Sequence, residues 1–291
     1  MQIGVQSAFH SKSIDLSKFA ARCEELGFES FWMPEHTAIP ANPSVGQPLG
    51  RTSGPRGTPG EEIPDSYLLM VDPLIGLTMV AAATNKMGLG TGVCLVPEHH
   101  PIDLAKRISS LDLYSNGRFI LGVGAGWQPE EMTAMGGDFK HRWTQTKECI
   151  EVMKKLWTKD EAEHTGNYYQ FPALKFHPKP VQKPHPPILL GGMSKRVFKR
   201  IAEWADGWVP IRVSPDELAT GRQELNNECE RINRDPKTTT ITMFSDTSNP
   251  WKVKDYAEAG ADRVVFTVPS TSDEDPFGQV EAIAKSEGLI N

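Results

Sequence analysis

The chain has little cysteine, no excess of positive charge and no apolar run of membrane-spanning length. Its most apolar stretch, residues 73–83, is interrupted by Thr78 and falls well short of the ~18 residues that a bilayer requires. The four cysteines form no CxxC pair, so neither a small disulfide scaffold nor a zinc site is indicated. The N-terminus lacks the pattern of a secretory signal. We therefore expect a reduced, cytoplasmic protein without a membrane partner.

Several motifs that define other enzyme classes are also missing. The chain contains no GxSxG hydrolase elbow, and the adjacent His99 and His100 suit no common chelate, so we predict no metal site. Lys and Arg number 31 against 37 Asp and Glu, a net charge of -6 that argues against nucleic acid as the main partner. The sequence does not determine the oligomeric state, and it is compatible with a homodimer.

What the sequence does contain is a regular alternation of apolar runs and helical periods along 291 residues. Eight such units in this length predict one (β/α)8 barrel over residues 1–291. A doubly wound open sheet is the rival, and it is disfavoured because no Pro/Gly-rich linker divides the chain. The predicted strands are 3–5, 28–33, 87–96, 118–123, 188–190, 207–212, 240–244 and 263–268.

Two segments are too long to be plain connections. Residues 34–66 follow the second strand and hold most of the local Pro and Gly, whereas residues 159–187 precede the fifth strand. In a barrel the first insertion lies over the C-terminal face, where active sites form, so a lid is one interpretation. A surface excursion without a catalytic role is the other.

Candidate chemistry is found where the predicted strands end. His36 follows the second strand, and an imidazole titrates near neutral pH, so it is a candidate general acid or base. Glu35 could orient His36 or be structural. A loop histidine that bonds only to backbone is the alternative for His36.

Glycines mark three other strand ends. Gly92 and Val93 lie in the third predicted strand towards its end, where a bulge that meets a ligand and simple packing at the rim are both open. The run 122–127, GVGAGW, lacks the spacing of a dinucleotide fingerprint. Gly191, Gly192 and Ser194 precede a helix, which is typical of a phosphate cradle or of an ordinary capped turn.

These strings resemble the luciferase-like flavin and deazaflavin oxidoreductases over nearly the whole chain, and within them the members that use coenzyme F420. The resemblance rests on WMPEH (32–36), LGTGVCLVPEHHPIDLAK (89–106), LDLYSNGRFILGVGAGW (111–127), PKPVQKPHPPILLGG (178–192) and AEWADGWVP (202–210). It implies a barrel that holds the cofactor ring at its C-terminal mouth.

The resemblance also implies roles for individual positions. Gly92 and Val93 match a non-prolyl cis peptide that backs the ring. His36 matches the residue beside the reactive C5 of a deazaflavin, and Glu35 stands where the family pattern has Asp. The wall beside the ring is matched by Gly124, Gly126 and Trp127. The phosphate-binding turn is matched by Gly191, Gly192 and Ser194.

The function implied is an oxidoreductase that moves a hydride between C5 of coenzyme F420 and a small organic substrate. His36 would move the accompanying proton. Because the first insertion carries cations within an acidic protein, we also expect Arg51 or Arg56 to meet the acidic tail of the cofactor or an anionic substrate. An FMN-dependent luciferase-like monooxygenase is the alternative. A cofactor-binding protein without turnover is the alternative of another class.

Overall fold

Short strands of apolar residues close into a parallel barrel in the computed structural model, which describes residues 1–45, 63, 65–246 and 249–290. The barrel strands are β1 (Gln2–Gln6), β2 (Ser30–Met33), β3 (Gly88–Thr91) with β4 (Cys94–Leu95), β5 (Phe119–Gly124), β8 (Ile188–Gly191), β9 (Gly207–Val209), β10 (Thr240–Asp246) and β11 (Arg263–Thr267). Each pairs in parallel with its neighbours, and β1 pairs with both β2 and β11. The predicted (β/α)8 architecture is therefore confirmed.

Helices follow the strands and cover the outside of the barrel. They are α1 (Leu16–Glu25), α2 (Asp65–Leu68), α3 (Pro73–Ala83), α4 (Pro101–Tyr114), α5 (Pro129–Ala134), α6 (Arg142–Thr158), α7 (Arg196–Trp204), α8 (Pro215–Arg231), α9 (Val253–Glu258) and α10 (Pro276–Ser286). Local signals set their ends. The Asp15 side chain accepts from the amide of Lys18 at the start of α1, and Ser214 and Glu217 form a capping box on α8.

The apolar core has two parts. The larger part lies between the strands and the helices, and a smaller cluster fills the barrel interior. Trp32 is fully buried in this interior, with the ring of Phe244 edge-on at 5.4 Å. Gly90 stands directly against the Trp32 ring, where a Cβ would overlap it. The barrel is therefore a packed core, and ligands are restricted to its mouth.

The third strand and the second insertion differ from the sequence-based expectation. The strand predicted over 87–96 is interrupted at Gly92–Val93, whose peptide is cis. The insertion 159–187 contains an antiparallel hairpin, β6 (Glu161–Thr165) and β7 (Gln170–Lys175). The hairpin was missed because its strands carry few apolar residues and pack mainly on each other.

Of the first insertion, residues 34–66, the structure describes residues 34–45, 63, 65 and 66. Arg51 and Arg56 lie outside the described residues, so their predicted contact with an anionic group stays a prediction. No helix in the described part of the chain is both long and apolar enough to cross a membrane.

A paired charge joins the last barrel strand to the loop before β2. Arg263, which is 8% exposed, donates from Nε and Nη2 to the two carboxylate oxygens of Glu29 at 2.7 and 2.8 Å, and from Nη1 to the hydroxyl of Thr242. Two parallel charge-assisted bonds of this kind are strong, and removing one partner leaves the other unpaired.

We expect Arg263→Leu to lower the free energy of unfolding by about 2–4 kcal/mol, because Glu29 and Thr242 lose their partner in a largely buried setting. The matched control is Lys254→Leu, which breaks an exposed pair with Glu258 and should cost about 0.5 kcal/mol or less. Urea unfolding midpoints measure both. Equal shifts in the two variants would contradict the role given to Arg263.

Candidate active site

His36 is held at the C-terminal mouth of the barrel by two hydrogen bonds. Its Nδ1 lies 2.7 Å from Oε2 of Glu131, and its Nε2 lies 3.2 Å from the indole Nε1 of Trp127. The His36 side chain is 6% exposed. Because β2 and β5 run in parallel, the residues after their ends meet at one edge, which brings His36 and Glu131 together although they are 95 positions apart.

These two contacts fix the resting proton arrangement of His36. An indole nitrogen can only donate, so Nε2 of His36 must carry a lone pair and accept. The ring proton is then on Nδ1, where it is donated to the carboxylate of Glu131. His36 is therefore a proton acceptor at Nε2, with its other nitrogen already engaged.

Glu131 also fixes the loop that follows β2. Its Oε1 accepts from the backbone amides of Thr37 at 2.7 Å and Ala38 at 3.1 Å. Its neighbour Glu130 accepts from the amide of Ser44 at 3.1 Å. The start of the first insertion is thus tied to α5 by carboxylates, directly beside His36.

Two aromatic rings enclose His36. The ring of Tyr67 lies 5.1 Å and that of Trp127 lies 5.4 Å from the His36 ring, centroid to centroid. Tyr67 belongs to α2, at the far end of the first insertion. Both described ends of this insertion therefore reach the site.

Glu35 does not orient His36. One of its oxygens lies 2.9 Å from Nε2 of His99, and the other accepts from the amide of Leu95. Burial acts to raise the pKa of Glu35, but the hydrogen bond and charge of His99, the Leu95 amide and the thiol of Cys94 outweigh it and leave the pKa lowered. The orienting role considered for Glu35 belongs to Glu131.

Glu35, Cys94 and His99 offer ligand atoms that all lie within 4.8 Å of one another. Soft and borderline ligands of this kind suit a transition metal. In this structure the three side chains are partners of one another through hydrogen bonds. The expectation that the chain has no metal site stays a prediction.

Among the described residues, none forms a hydrogen bond with the side chain of Glu98. It is 3% exposed, and neither carboxyl oxygen makes a hydrogen bond. Burial, followed by the charges of Glu131 and Glu35, raises its pKa to about 9. Glu98 is therefore a neutral acid at pH 7, placed between the carboxylates that hold His36 and His99.

Gly92 and Val93 lie at the mouth and are partly exposed. The amide of Gly92 donates to the carbonyl of Met33, and the Gly92 carbonyl accepts from the side chain of Gln6 at 3.1 Å. A Cβ on Gly124 would come within 2.6 Å of Val93. Gly124 is therefore required for packing against this bulge, and the cis peptide implied by the resemblance is present.

Two of the three remaining glycines of the predicted wall and turn adopt positive φ. Gly126 has φ +73° and precedes Trp127, so it turns the chain to bring the indole onto His36. Gly192 has φ +113°, and its carbonyl accepts from the indole of Trp208 at 2.9 Å. Gly191 lies deeper, against the backbone of Val123.

The turn at Gly192 leads into α7 without a side-chain cap. The N-cap residue Lys195 makes no capping hydrogen bond, and Ser194 is exposed. Amides at such an end are free to bind an anion. The phosphate turn stays a prediction, at a helix start that carries no side-chain cap.

Sequence reasoning missed Glu131, Tyr67, Glu98 and Gln6. Glu131 carried the clearest available signal, an acidic residue in the first turn of the helix after the fourth strand, on the same edge as His36. Tyr67 had none, because it follows an insertion without periodicity.

Comparisons with known proteins agree with this architecture. A family model described as luciferase-like monooxygenase matches residues 4–259. An uncharacterised protein of Mycobacterium tuberculosis is 35% identical over 287 residues, 98% of each chain. The oxygenase component of the flavin-dependent trigonelline monooxygenase of Acinetobacter baylyi is 34% identical over 177 residues, 60% of this chain and 49% of that protein.

Among solved structures, an F420-dependent secondary alcohol dehydrogenase in complex with an F420–acetone adduct is similar in fold. Its TM-score is 0.75 at 16% identity, covering 100% of this chain and 99% of that chain. At this identity the likeness concerns the fold alone.

The neutral state of Glu98 has a consequence for stability. In the folded protein its pKa is about 9, against an ordinary value of 4.5. Between these values the unfolded chain binds fewer protons at this position than the folded one, so the contribution of Glu98 to stability falls as pH rises through the window.

We expect Glu98→Gln to abolish this fall in the free energy of unfolding, which amounts to at most about 1.4 kcal/mol per pH unit. The free energy of unfolding of the variant, relative to the parent, should therefore rise from pH 5 to pH 8. Urea unfolding at several pH values measures it, with Glu258→Gln as an exposed control. Parallel pH profiles for parent and Glu98→Gln would show that Glu98 is ionised at neutral pH.

Proposed function

The chain belongs to the luciferase-like monooxygenase family, whose members are oxidoreductases and monooxygenases, and from this premise we propose that it is a deazaflavin-dependent oxidoreductase. It would bind coenzyme F420 at the barrel mouth and exchange a hydride with a small organic substrate. The observation that carries the proposal is His36, held by Glu131 with an accepting Nε2 at the strand-end edge.

The residues at the mouth fit such a cofactor. Gly192 has a backbone conformation that favours glycine, and a Cβ there would meet only Trp143 at 3.6 Å, so an anion can approach the turn. The bulge at Gly92–Val93 is held by Gln6 and is partly exposed, which suits a flat ring lying against it. The bulge lies at the end of the third barrel strand, and the turn at Gly192 lies at the end of the fifth.

When bound, the deazaflavin supplies the hydride chemistry at C5. The chain supplies the proton path. Nε2 of His36 accepts a proton from the substrate or returns one to it, while Nδ1 stays bonded to Glu131, whose carboxylate stabilises the imidazolium that forms. Trp127 must release Nε2 before that step, because its indole N–H occupies the same lone pair.

The reaction also needs exclusion of water, and the aromatic enclosure favours it. Tyr67, in α2 at the end of the first insertion, and Trp127, after β5, both pack against the ring of His36. Loops over the mouth of a barrel commonly close on the bound ligand. The substrate class follows from the proton chemistry of Nε2: a small organic molecule with a hydroxyl group that donates to Nε2, or with a carbonyl oxygen that accepts from the protonated ring.

A flavin-dependent monooxygenase is the second candidate. It is favoured by the trigonelline monooxygenase relative, which is named as flavin-dependent and matches at 34% identity. The two candidates differ in the cofactor and in the need for oxygen, so cofactor affinity separates them.

We expect coenzyme F420 to bind at least about tenfold more tightly than FMN, a difference of about 1.4 kcal/mol. Gly192→Asp should weaken binding of either cofactor sharply, since a carboxylate at the start of α7 repels an anion. Fluorescence quenching of the purified protein measures both affinities.

Two controls separate charge from backbone strain. Gly192→Ala introduces a side chain at the same φ without charge, and Gly288→Asp introduces the charge at another positive-φ glycine with open space around it. Tighter binding of FMN than of F420 would favour the second candidate. Unchanged affinity in Gly192→Asp would place the phosphate elsewhere.

We expect His36→Ala to lower turnover by roughly 10²-fold or more, the usual range for losing a general acid or base, while cofactor affinity changes by a few fold. Glu131→Gln should lower turnover less and alter its pH profile, because the imidazolium loses its stabilising charge. Turnover is followed as the change in deazaflavin absorbance across a panel of alcohols and ketones.

His141→Ala is the matched control, since this histidine is exposed and its ring pairs with Asp138. Near-parent turnover of His36→Ala over the whole pH range would assign the proton transfer to another group.

A further inference from the structure

The chain segment that follows β9 is fixed to its neighbours although part of it is exposed. The amide of Phe244 in β10 donates to the carbonyl of Pro210, and the amide of Arg212 donates to the carbonyl of Phe244, both at 2.9 Å. The hydroxyl of Tyr256 donates to the carbonyl of Val213 at 2.8 Å, and Val213 is fully buried. The backbone of Arg212 is therefore held on both sides, while its side chain is 55% exposed.

The backbone of Arg212 has an unusual conformation for a residue with a side chain. Its φ is +53°, in the left-handed region that glycine favours. The turn places Val213 in the core while Arg212 stays at the rim of the mouth. Such conformations cost stability, and they cluster at ligand sites, where the surrounding structure enforces them. The conformation therefore indicates a function for this position.

The guanidinium of Arg212 uses only part of its hydrogen-bonding capacity. Its Nε lies 2.8 Å from Oδ2 of Asp246, at the end of β10. Within the part of the chain that the structure describes, no hydrogen bond is formed by either Nη group of Arg212. The ion pair holds the guanidinium in place, and two N–H groups side by side match the two oxygens of a carboxylate.

Arg212 lies across the mouth from His36. β9 is the sixth strand of the barrel and β2 is the second, so they stand opposite each other in the ring of eight. Phe244, which anchors Arg212, also lies against the bulge, since its ring is 3.1 Å from where a Cβ on Gly92 would be. A substrate over a cofactor ring bound at this bulge has His36 on one side and Arg212 on the other.

The charges at the mouth favour one orientation for an anionic substrate. The carboxylates of Glu131 and Glu35 lie on the side of His36, where they engage His36 and His99. They repel an acid group from that side, whereas Arg212 attracts it. The uncharged end of such a substrate is then directed to Nε2 of His36.

We propose that Arg212 recognises the substrate by binding a carboxylate, so that the substrate is a small hydroxy acid or oxo acid. The inference rests on the proposed function and deepens it by naming the substrate class. The carboxylate takes no part in the exchange of hydride and proton. It fixes which end of the molecule faces His36, so that the hydroxyl or carbonyl group lies at Nε2.

The test compares hydroxy acids with their primary amides, which have nearly the same shape but no charge. The hydroxyl group is placed on the second, third or fourth carbon, so that the panel covers different spans across the mouth. The full chain is loaded with oxidised coenzyme F420, and turnover gives kcat and KM. Calorimetry with the corresponding oxo acids gives affinities without turnover, because an oxo acid has no hydride to transfer to the oxidised cofactor.

The variants are Arg212→Gln, which removes the charge, and Arg212→Lys, which keeps the charge without the planar fork. The matched control is Arg231→Gln, since this arginine is 53% exposed and pairs with Glu228 at the C-terminal end of α8. Thermal midpoints check folding. Fluorescence quenching measures the affinity of each variant for coenzyme F420.

We expect the parent to prefer an acid over its amide by about tenfold or more in kcat/KM. Arg212→Gln should lower kcat/KM for the acids, and the affinity for the oxo acids, by about tenfold to a hundredfold, the range for a hydrogen bond to a charged group. The amides should change by less than about threefold. Arg212→Lys should lie between, and Arg231→Gln should match the parent.

The inference is overturned if the parent shows no preference for the acids, or if Arg212→Gln loses no more for the acids than for the amides. An equal loss of affinity for coenzyme F420 in Arg212→Gln would assign this residue to the cofactor and overturn it too. If the parent binds F420 and oxidises neutral alcohols as well as the acids, the proposed function stands and this inference fails. If the parent binds FMN alone, both fail.

Discussion

The parallel pairing of β1 with β11 is the constraint on which the site depends. It closes the sheet, so every strand ends at one mouth and residues far apart in sequence become neighbours. His36 and Glu131 meet there, as do Glu35 and His99. Trp32 fills the barrel interior below, so nothing but the mouth is left for a ligand.

The mouth is crowded with carboxyl groups whose environments differ. Glu131 and Glu35 each accept several hydrogen bonds and each engages a histidine, whereas Glu98 accepts none, and its pKa is raised first by burial and then by the charges of the other two. Carboxyl groups with separated pKa values are a common feature of sites that move protons. Because all three carboxyl groups are buried, what distinguishes them is the number of hydrogen bonds that each one accepts.

Much of the fold could be predicted from the sequence, because periodicity is local and strands such as 263–268 are continuous apolar runs. The glycines left a bulge at Gly92–Val93 as one of two interpretations, and only the resemblance favoured it. Glu131 is marked by its place in the first turn of the helix after the fourth strand, but Glu35 is adjacent to His36 and is the simpler choice from the sequence, although it bonds elsewhere. Which side chains pair across the mouth is decided by barrel closure, and local sequence patterns do not predict it.

The four cysteines have a practical consequence. Each is buried and free, and they lie in separate elements: Cys23 in α1, Cys94 in β4, Cys149 in α6 and Cys229 in α8. Burial raises the pKa of every one of these thiols, so they react slowly while the chain is folded. Alkylation followed by peptide mass spectrometry would therefore report the opening of four different sectors of the barrel without any introduced label. A single cysteine added on the surface would be the one site that a thiol dye modifies in the native protein.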